Sequence, residues 1–311
     1  MAAFFSRALA PRTLAASTAI VGAAGVTYYA TRRPILLDSA QNAPSKTLSF
    51  PTGMLFAKQL TVTDVEQVNH DTKRITFSLP GGSSEVSGVP ASAAILTQHT
   101  PSGRWFPVLR PYTPIHDRDQ PGILQLLVKK YPHGAASSYM HTLTPGSKLT
   151  VRGPLPGYTW TPSPTPRDVV FVAGGAGITP IFSLTKGVLS NADDKTRINL
   201  LWGVNGSRDM VLKDELASLQ KQHPERLRVS YFISGSEADA WAPTSQEVRQ
   251  KGYVDRAALE KVVQQCETGS FGDEKGTKVF FCGPPGMQES IAGKKGVLEQ
   301  LGVVKKQIHI F

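Results

Sequence analysis

One short stretch organises this sequence: Arg110-Pro111-Tyr112-Thr113-Pro114. If it is an extended strand, residues two apart point the same way, so the Arg110 guanidinium and the Tyr112 ring share one face. The two prolines fix φ on either side of Tyr112, and each removes a backbone donor. A segment of this kind is stiff and belongs at the edge of a sheet.

A cation beside a flat aromatic suits a ligand that combines a planar ring with a diphosphate. The aromatic packs on the ring, and the guanidinium pairs with phosphate through its two-pronged fork. Flavin adenine dinucleotide (FAD) is such a ligand. On these five residues alone, an ordinary edge strand with one exposed arginine and one half-buried tyrosine is an equal alternative.

The composition is that of a globular protein with room for about two domains. The chain has 311 residues, of which 40% are hydrophobic and 19% are charged. Its net charge of +10 indicates an acidic partner, a membrane surface or nucleic acid. No basic strip is interleaved with aromatics, which argues against nucleic acid. The two cysteines are too few for a disulfide framework or a zinc site, so no metal is expected.

The N-terminal segment carries a separate signal. Residues 1–37 contain arginines but no acidic residue, and residues 13–30 carry no charge. As a helix, the uncharged stretch would span about 27 Å, just enough for a thin bilayer. An arginine-bearing, acid-free start is typical of mitochondrial targeting. We therefore expect a membrane anchor at residues 13–30, with a wholly cleaved presequence as the open alternative.

Short strands follow the proline-containing tether at residues 31–50. Six of them in about a hundred residues, separated by glycine and proline turns, predict a small antiparallel β-barrel. Only one helix is predicted in this half. The predicted strands lie at residues 54–68, 74–79, 93–97, 104–112, 123–130 and 148–151, and the helix at residues 135–143.

The predicted helix begins directly after Gly134. A glycine at this place leaves the first backbone donors of the helix open, and these donors together with the helix dipole favour phosphate oxygens. Gly134, Ala135, Ala136 and Ser137 could therefore hold the same diphosphate as Arg110. An ordinary glycine turn before a surface helix is the alternative.

Prolines crowd residues 154–166, so no regular element is expected to pass through them, and we place a domain boundary near residue 163. Beyond it strands alternate with helices, which predicts a doubly wound parallel sheet. The predicted strands are 169–173, 198–203, 227–233 and 278–282, and the helices are 178–189, 213–222, 255–265 and 285–301. The predicted domains are thus a targeting segment and tether at residues 1–50, a β domain at residues 51–162 and an α/β domain at residues 163–311.

Two glycine-containing turns end strands of the α/β half. Gly174, Gly175 and Gly177 follow its first strand, and the run Cys-Gly-Pro-Pro-Gly at residues 282–286 ends its last. The first turn reads G-G-x-G, which differs from the dinucleotide fingerprint G-x-G-x-x-G. Because the carboxyl ends of parallel strands meet at one edge of the sheet, the two turns predict the walls of a nucleotide crevice.

Taken together, these motifs resemble those of the ferredoxin-reductase-type flavoenzymes. The resemblance covers residues 50–311 and rests on Arg110-Pro-Tyr-Thr, the turn at residues 134–137, the run at residues 174–180 and Cys282-Gly-Pro-Pro. Within this family, the chain is most similar to the members that pass electrons from NADH to cytochrome b5 in fungal mitochondria. The resemblance implies a FAD-binding β-barrel followed by an NADH-binding α/β domain, with the flavin ring between them.

The resemblance also implies roles for single residues. The implied FAD residues are Arg110 at the diphosphate, Tyr112 at the flavin, Thr113 at the flavin edge, and Pro111, Val128, Lys129, Tyr131, Gly134, Ala136 and Ser137 around them. The implied NADH residues are Gly175, Gly177, Thr179, Cys282, Gly283 and Pro284, with the terminal Phe311 near the flavin. Thr113 and Thr179 are the catalytic candidates. Cys282 could instead be a small buried hydrophobic residue, and Phe311 a frayed tail.

The implied reaction moves a hydride from NADH to the flavin and then single electrons to a haem protein. No general acid or nucleophile is needed, because the cofactors do the chemistry and the protein orients them. An acidic cytochrome b5-type partner would be steered by Lys129 and Lys130, unless these are solvated strand ends. Asp209, after the second strand of the α/β half, would bind a ribose hydroxyl and repel a 2′-phosphate, which favours NADH over NADPH.

The resemblance also implies a location in the mitochondrial outer membrane through the single N-terminal anchor, or a cleaved form in the intermembrane space. Two other functions stay open at this point. One is a flavin reductase of the same fold that serves another acceptor, and the other is a membrane-tethered binding module without a cofactor.

Overall fold

The computed structural model describes residues 46–47, 57–235, 248–266 and 277–311. The predicted anchor at residues 13–30 lies outside these ranges. Within them, every helix is too short or too polar to cross a membrane.

The N-terminal half forms an antiparallel sheet, as the strand pattern predicts. Its strands are β1 (Lys46–Thr47), β2 (Lys58–Gln67), β3 (Thr72–Ser78), β4 (Glu85–Val86), β5 (Ala94–His99), β6 (Val108–Tyr112), β7 (Ile123–Lys129) and β8 (Lys148–Leu155). Six of them form one sheet in the order β6-β5-β8-β2-β3-β7, while β1 and β4 form a separate parallel pair. The strand β6 therefore lies at a sheet edge, the position in a sheet where a proline such as Pro111 is tolerated.

Side-chain alternation explains this sheet. Ile75 and Phe77 of β3 are fully buried, and they share a core with Leu124 and Leu126 of β7. Burial of every second side chain along a strand is what a sheet with one covered face requires. The helix α1 (Ala135–Thr142) adds Met140 to the same core.

No strand or helix passes through the proline-rich stretch, as predicted, but β8 extends further into it than the predicted strand at residues 148–151, through Pro154 to Leu155. The register between β5 and β8 shifts between Ala94 and Leu96, so this end of β8 is irregular. A bulge of this kind leaves residues out of the ladder, which is where a strand tolerates proline. The Gly153-Pro154 peptide bond is cis.

The C-terminal half forms a parallel sheet, again as predicted. Its strands are β9 (Arg167–Gly174), β10 (Thr196–Val204), β11 (Leu227–Ile233), β12 (Val248–Lys251), β13 (Lys278–Cys282) and β14 (Ile308–Ile310), in the order β12-β11-β10-β9-β13-β14. The central strand β9 is buried from Asp168 to Gly174, as the apolar run after the boundary predicts for a strand covered on both faces.

Helices cover both faces of this sheet. They are α2 (Ile178–Leu189), α3 (Lys213–Gln222), α4 (Arg256–Gln264), α5 (Pro285–Ala292) and α6 (Val297–Gln300). Ile181 of α2 and Leu216 of α3 belong to one core cluster, whereas Leu259 of α4 and Ile291 of α5 belong to another. The predicted doubly wound α/β architecture is confirmed.

Two details of the C-terminal half differ from the prediction. The single helix expected at residues 285–301 is two helices, because Gly293 is extended and Lys295 adopts a positive φ of 63° between them. The strands β12 and β14 were not predicted. Both are short edge strands, and four or three residues carry too little periodicity to be recognised.

Candidate active site

Both sheets contribute walls to one large cavity of about 1390 Å³. The antiparallel sheet supplies the end of β6 and the region around α1, and the parallel sheet supplies the turns after β9 and β13. A single small ligand needs about 300–1,000 Å³, so this cavity has room for more than one.

Arg110 and Tyr112 of β6 both border the cavity, and so does Pro111 between them. Arg110 is exposed, and its Nη1 donates to the carbonyl oxygen of Leu109 at 2.8 Å. Tyr112 packs against the core of the antiparallel sheet. Burial, with a smaller contribution from Tyr131 and against the opposing charge of Arg110, raises the pKa of Tyr112 to about 12. Tyr112 is therefore a neutral phenol at physiological pH.

The turn before α1 brings the helix N-terminus to the cavity wall. Gly134 is the N-cap, and a Cβ there would meet the Ser137 hydroxyl and lie 3.1 Å from Tyr131 Cβ. The Ser137 hydroxyl donates to the Gly134 carbonyl oxygen and accepts from the Tyr131 amide, both at 3.1 Å. Ser137 therefore shapes this turn with its side chain, which leaves the backbone of Ala135 and Ala136 at the cavity wall.

The two glycine turns of the parallel sheet lie against each other. A Cβ on Gly174 would stand 2.8 Å from Pro284 Cδ, and a Cβ on Gly177 would stand 2.6 Å from the Cys282 carbonyl carbon. Gly175 has a positive φ of 52° and nothing within 4 Å of its Cβ direction. Gly174 and Gly177 thus allow the turn after β9 to approach the turn after β13 closely. Gly175 is the glycine that has open space beside it.

Thr113 and Thr179, the two catalytic candidates, stand on opposite walls of the cavity. Thr113 follows β6 and is 8% exposed. Thr179 is in the first turn of α2, where its hydroxyl donates to the Ala176 carbonyl oxygen at 3.2 Å. The structure therefore brings both residues to the same cavity, one from each half of the protein.

Cys282 borders the cavity beside Gly283 and Pro284, at the end of β13. Burial raises the pKa of the Cys282 thiol to about 11. At neutral pH the sulfur is a thiol rather than a thiolate, which agrees with the expectation that it is not a nucleophile.

Phe311 forms part of the cavity wall and is held in place. Its amide donates to the Phe281 carbonyl oxygen at 3.0 Å, continuing the pairing of β14 with β13. Its ring meets that of His309 edge to face, with centroids 4.6 Å apart. The alternative of a frayed tail is wrong. His309, which also borders the cavity, was missed, although it lies two residues before Phe311 on the same strand face.

The side chain of Val128 lies elsewhere. Val128 is fully buried in the core of the antiparallel sheet, whereas its neighbours Leu127 and Lys129 border the cavity. Neighbouring residues of a strand point to opposite faces, so a contact of Val128 with a cofactor would be made by its backbone, and its place among the cofactor residues stays a prediction. Leu127 is the residue that alternation would have identified. The other predicted site residues, including Pro111, Tyr131, Ala136 and Asp209, all border the cavity.

Lys129 joins the two halves of the structure. Its Nζ lies 2.6 Å from Asp71 Oδ2, in the turn between β2 and β3, and 3.1 Å from Asp209 Oδ1, after β10. We call Asp71, Lys129 and Asp209 the lysine clamp. Burial by itself lowers the pKa of Lys129, but the hydrogen bonds to Asp71 and Asp209 outweigh it and raise the pKa overall. Lys129 is therefore charged.

The lysine clamp changes one sequence-based expectation. Two carboxylates neutralise Lys129, so it is wrong to expect its charge to attract a partner protein. Lys130 remains exposed at the end of β7. His70, Asp71 and Asp209 offer ligand atoms within 4.8 Å of one another. Because the Lys129 ammonium already lies between the two carboxylates, this cluster is a lysine clamp rather than a metal site.

The cavity fits the cofactors that the sequence implies. Arg110 and the uncapped N-terminus of α1 present cationic and N–H groups to one region, which suits a diphosphate. Neutral Tyr112 offers a flat surface beside them. The turns after β9 and β13 form the facing wall, where a second nucleotide would enter at the carboxyl ends of the strands.

Comparisons with known proteins agree with this geometry. Residues 59–160 match the oxidoreductase FAD-binding domain family, and residues 171–293 match the oxidoreductase NAD-binding domain family. NADH-cytochrome b5 reductase 2 of Pyricularia oryzae is 40% identical over 278 residues, covering 86% of this chain and 78% of that protein. The protein of the same name from Neurospora crassa is 38% identical over 262 residues, covering 81% of this chain and 72% of that protein.

Solved structures show the same fold. The cytochrome b5 reductase domain of Ulva prolifera nitrate reductase superposes with a TM-score of 0.67 at 26% identity, covering 82% of this chain and 97% of that one. A flavohemoglobin from Malassezia yamatoensis, whose structure has bound FAD and heme, superposes with a TM-score of 0.65 at 18% identity, covering 83% of this chain and 60% of that one. At that identity the second likeness concerns the fold alone.

Proposed function

The chain belongs to the NADH-cytochrome b5 reductase family, and we propose that it passes electrons from NADH through FAD, one at a time, to a cytochrome b5-type haem protein. The observation that carries this proposal is the shared cavity. Arg110 and Tyr112 border it from the antiparallel sheet, and the turns that contain Gly174 and Cys282 border it from the parallel sheet. Two nucleotide cofactors in such a cavity would meet where the walls face each other.

FAD, when bound, accepts a hydride from NADH and can release electrons singly. We infer that the Arg110 guanidinium and the backbone N–H groups of Ala135 and Ala136 hold its diphosphate, whereas the Gly134 N–H already donates to the Tyr131 carbonyl oxygen at 3.0 Å. These groups are cationic or carry the positive end of a helix dipole, and they lie along one wall. The Ser137 hydroxyl would act indirectly, because it already bonds the Gly134 carbonyl and the Tyr131 amide.

The residues at the reacting end orient the cofactors and exclude water. Tyr112 would pack on the flavin as a neutral phenol, since its pKa is raised to about 12 mainly by burial. Thr113 and Thr179 approach from the two walls and would each offer a hydroxyl near the reacting rings. Cys282 and Phe311 narrow the same region with side chains that are neutral at physiological pH. Orientation of this kind, with no acid or nucleophile, is what hydride transfer between two cofactors requires.

Selection of NADH over NADPH is assigned to Asp209 in this proposal. Its carboxylate borders the cavity after β10, the place where a ribose-binding acid is expected in this type of sheet. Comparable catalytic efficiency with NADH and NADPH would overturn this assignment.

The N-terminal segment underlies a proposal on location. Residues 13–30 would anchor the protein in the mitochondrial outer membrane, or be removed to leave a form in the intermembrane space. The acid-free start and the uncharged stretch support this. Fractionation of cells that produce the full chain should place it in the outer membrane, and a chain without residues 1–33 should no longer fractionate there. Full-length protein in another compartment would contradict the proposal.

The visible spectrum tests the reaction. Purified protein should show a flavin band that bleaches when NADH is added without oxygen, and oxidised cytochrome b5 added next should restore the band while its haem is reduced. Protein that is colourless after reconstitution with FAD would contradict the proposal. A flavin that bleaches with NADH but does not reduce cytochrome b5 would retain the reductase and exclude this acceptor.

A further inference from the structure

We propose that Asp71 is a specificity-determining residue that acts on the nicotinamide cofactor from outside the cavity, by holding Lys129 of the lysine clamp against Asp209. This inference rests on the proposed function, because it assumes that NADH binds along the loop after β10. It goes beyond that function by assigning the choice between NADH and NADPH to three residues from both halves of the protein.

The position of Asp71 distinguishes it from its two partners. Lys129 and Asp209 are among the described residues that border the cavity, whereas Asp71 is not. Asp71 lies behind Lys129, with its Oδ2 2.6 Å from the Lys129 ammonium. The Asp71 carboxylate therefore acts on a bound cofactor through its contact with Lys129, which makes Asp71 a positioning residue.

The turn that carries Asp71 holds its carboxylate in a defined orientation. Asp71 Oδ1 accepts a hydrogen bond from the Thr72 hydroxyl at 2.8 Å, and the Asp71 amide donates to Asn69 Oδ1 at 3.0 Å. The Asp71 carbonyl oxygen accepts from the Lys130 amide at 2.7 Å, which ties the turn to the end of β7. Oδ2 is thereby directed at Lys129.

The same turn also contacts the loop that would receive the cofactor ribose. Asn69 Nδ2 donates to the Arg208 carbonyl oxygen at 2.7 Å, one residue before Asp209. Asp209 Oδ2 in turn accepts from the Gly206 amide at 3.0 Å, which orders the loop from within. Asn69 and Lys129 thus hold residues 208 and 209 from the side of the antiparallel sheet.

Charge balance gives Asp71 its effect on specificity. Asp209 paired with Lys129 alone would be neutral, since one carboxylate offsets one ammonium. Asp71 adds a second carboxylate, so the lysine clamp carries a net charge of −1 and its ammonium is engaged on both sides. A 2′-phosphate would approach a net negative group, whereas a ribose hydroxyl would meet a hydrogen-bond acceptor. Asp209 can therefore discriminate against NADPH only while Asp71 holds Lys129.

Two other cationic groups lie near the lysine clamp. His70 Nε2 is 3.4 Å from Asp71 Oδ2 and adds charge only when it is protonated. Arg208 precedes Asp209 in the loop, and its charge is the same in every variant considered below. All variants keep His70 and Arg208 and are compared with the wild type at one pH, so that each differs from it by a single side chain.

The test compares NADH with NADPH in the FAD-loaded full chain. The measured quantity is a ratio of two concentrations: the NADPH concentration that gives half the maximal rate of flavin reduction, divided by the NADH concentration that does so. Each of these half-saturating concentrations is written below as KM. Asp71→Asn should lower this ratio about fivefold, since it removes the net negative charge and leaves Lys129 able to reach a phosphate. The kcat with NADH should change less than about twofold, because the reacting rings bind elsewhere. High salt should reduce the difference between wild type and variant.

Matched variants separate this effect from a general loss of structure. Asp71→Glu keeps the negative charge and should retain most of the wild-type ratio of the two KM values. Asp64→Asn removes the same charge from an exposed site on β2 and should leave the ratio unchanged. Lys129→Met leaves two unopposed carboxylates and should raise the ratio, which is the opposite direction.

The outcomes distinguish the inference from the proposed function. If the wild-type flavin is not reduced by NADH, the proposed function fails. If the wild type is reduced by NADH but Asp71→Asn keeps the wild-type ratio, or if Asp64→Asn lowers the ratio equally, the inference on Asp71 is overturned. Should Asp71→Asn fail to retain FAD, Lys129→Met decides, and an unchanged or lower ratio in that variant contradicts the inference.

Discussion

Gly177 lies so close to Cys282 that a Cβ on Gly177 would stand 2.6 Å from the Cys282 carbonyl carbon. This contact joins the turn after β9 to the turn after β13, the two turns that form one wall of the cavity. The approach of these two turns at this point therefore requires that residue 177 carry no side chain.

Gly177→Ala should separate these two turns. The added methyl group meets backbone atoms that cannot rotate away, so we expect a loss of about 1–3 kcal/mol in the free energy of unfolding, together with slower flavin reduction by NADH. Chemical denaturation and rapid-mixing absorbance measure the two effects. Gly286→Ala is the matched control for the stability measurement, because a Cβ on Gly286 has nothing within 4 Å. Equal losses in both variants would show that the contact is unimportant.

Arg110→Gln should weaken FAD binding. A hydrogen bond to a charged group contributes about 1.5–3 kcal/mol, so the dissociation constant for FAD should rise roughly 10- to 100-fold. Fluorescence of released FAD during dilution measures this constant. Arg118, which is exposed and pairs with Asp119 at 3.3 Å, provides the control variant Arg118→Gln. Unchanged FAD affinity in Arg110→Gln would remove Arg110 from the diphosphate site.

Cys282 should react slowly with alkylating agents. Its pKa is raised to about 11 by burial, so the reactive thiolate is scarce at neutral pH and becomes about tenfold more abundant with each pH unit up to that value. The rate of iodoacetamide labelling should follow this slope in a Cys266→Ser background, which leaves one thiol. Fast labelling at pH 7, or loss of most turnover in Cys282→Ala, would contradict a neutral, non-nucleophilic role.

Tyr112 should make the stability of the protein sensitive to alkaline pH. An unfolded tyrosine ionises near pH 10, but burial raises the pKa of Tyr112 to about 12 in the folded state. Its contribution is therefore complete below pH 10 and is lost as the pH rises toward 12, by up to about 2–3 kcal/mol. Tyr112→Phe should lose less stability over this interval than the wild type does. If the free energies of unfolding of the two proteins fell equally between pH 10 and pH 12, the raised pKa of Tyr112 would be contradicted.

Sequence reasoning succeeded where the signal was local. The alternation at Ile75 and Phe77 and the continuous apolar run in β9 are properties of neighbouring residues, so they predicted the two sheets correctly. Glycine and proline carry their conformational preferences with them, so the turns at Gly134, Gly174 and Cys282 could be recognised before any contact was known. Short edge strands such as β12 and β14 have too few residues to show a periodic pattern of hydrophobic side chains.

The amino-acid sequence by itself determined the order of the two sheets, the edge position of the strand with Arg110 and Tyr112, and the turns that border the cavity. Only the tertiary structure decided which atoms those residues meet. It turned the side chain of Val128 into the core, placed Gly177 against Cys282, and engaged Lys129 between Asp71 and Asp209. Those partners are far apart along the chain: Gly177 meets Cys282 because β9 and β13 pair within one sheet, whereas Lys129 meets Asp209 only because the two sheets pack together. No local preference of a residue encodes that packing.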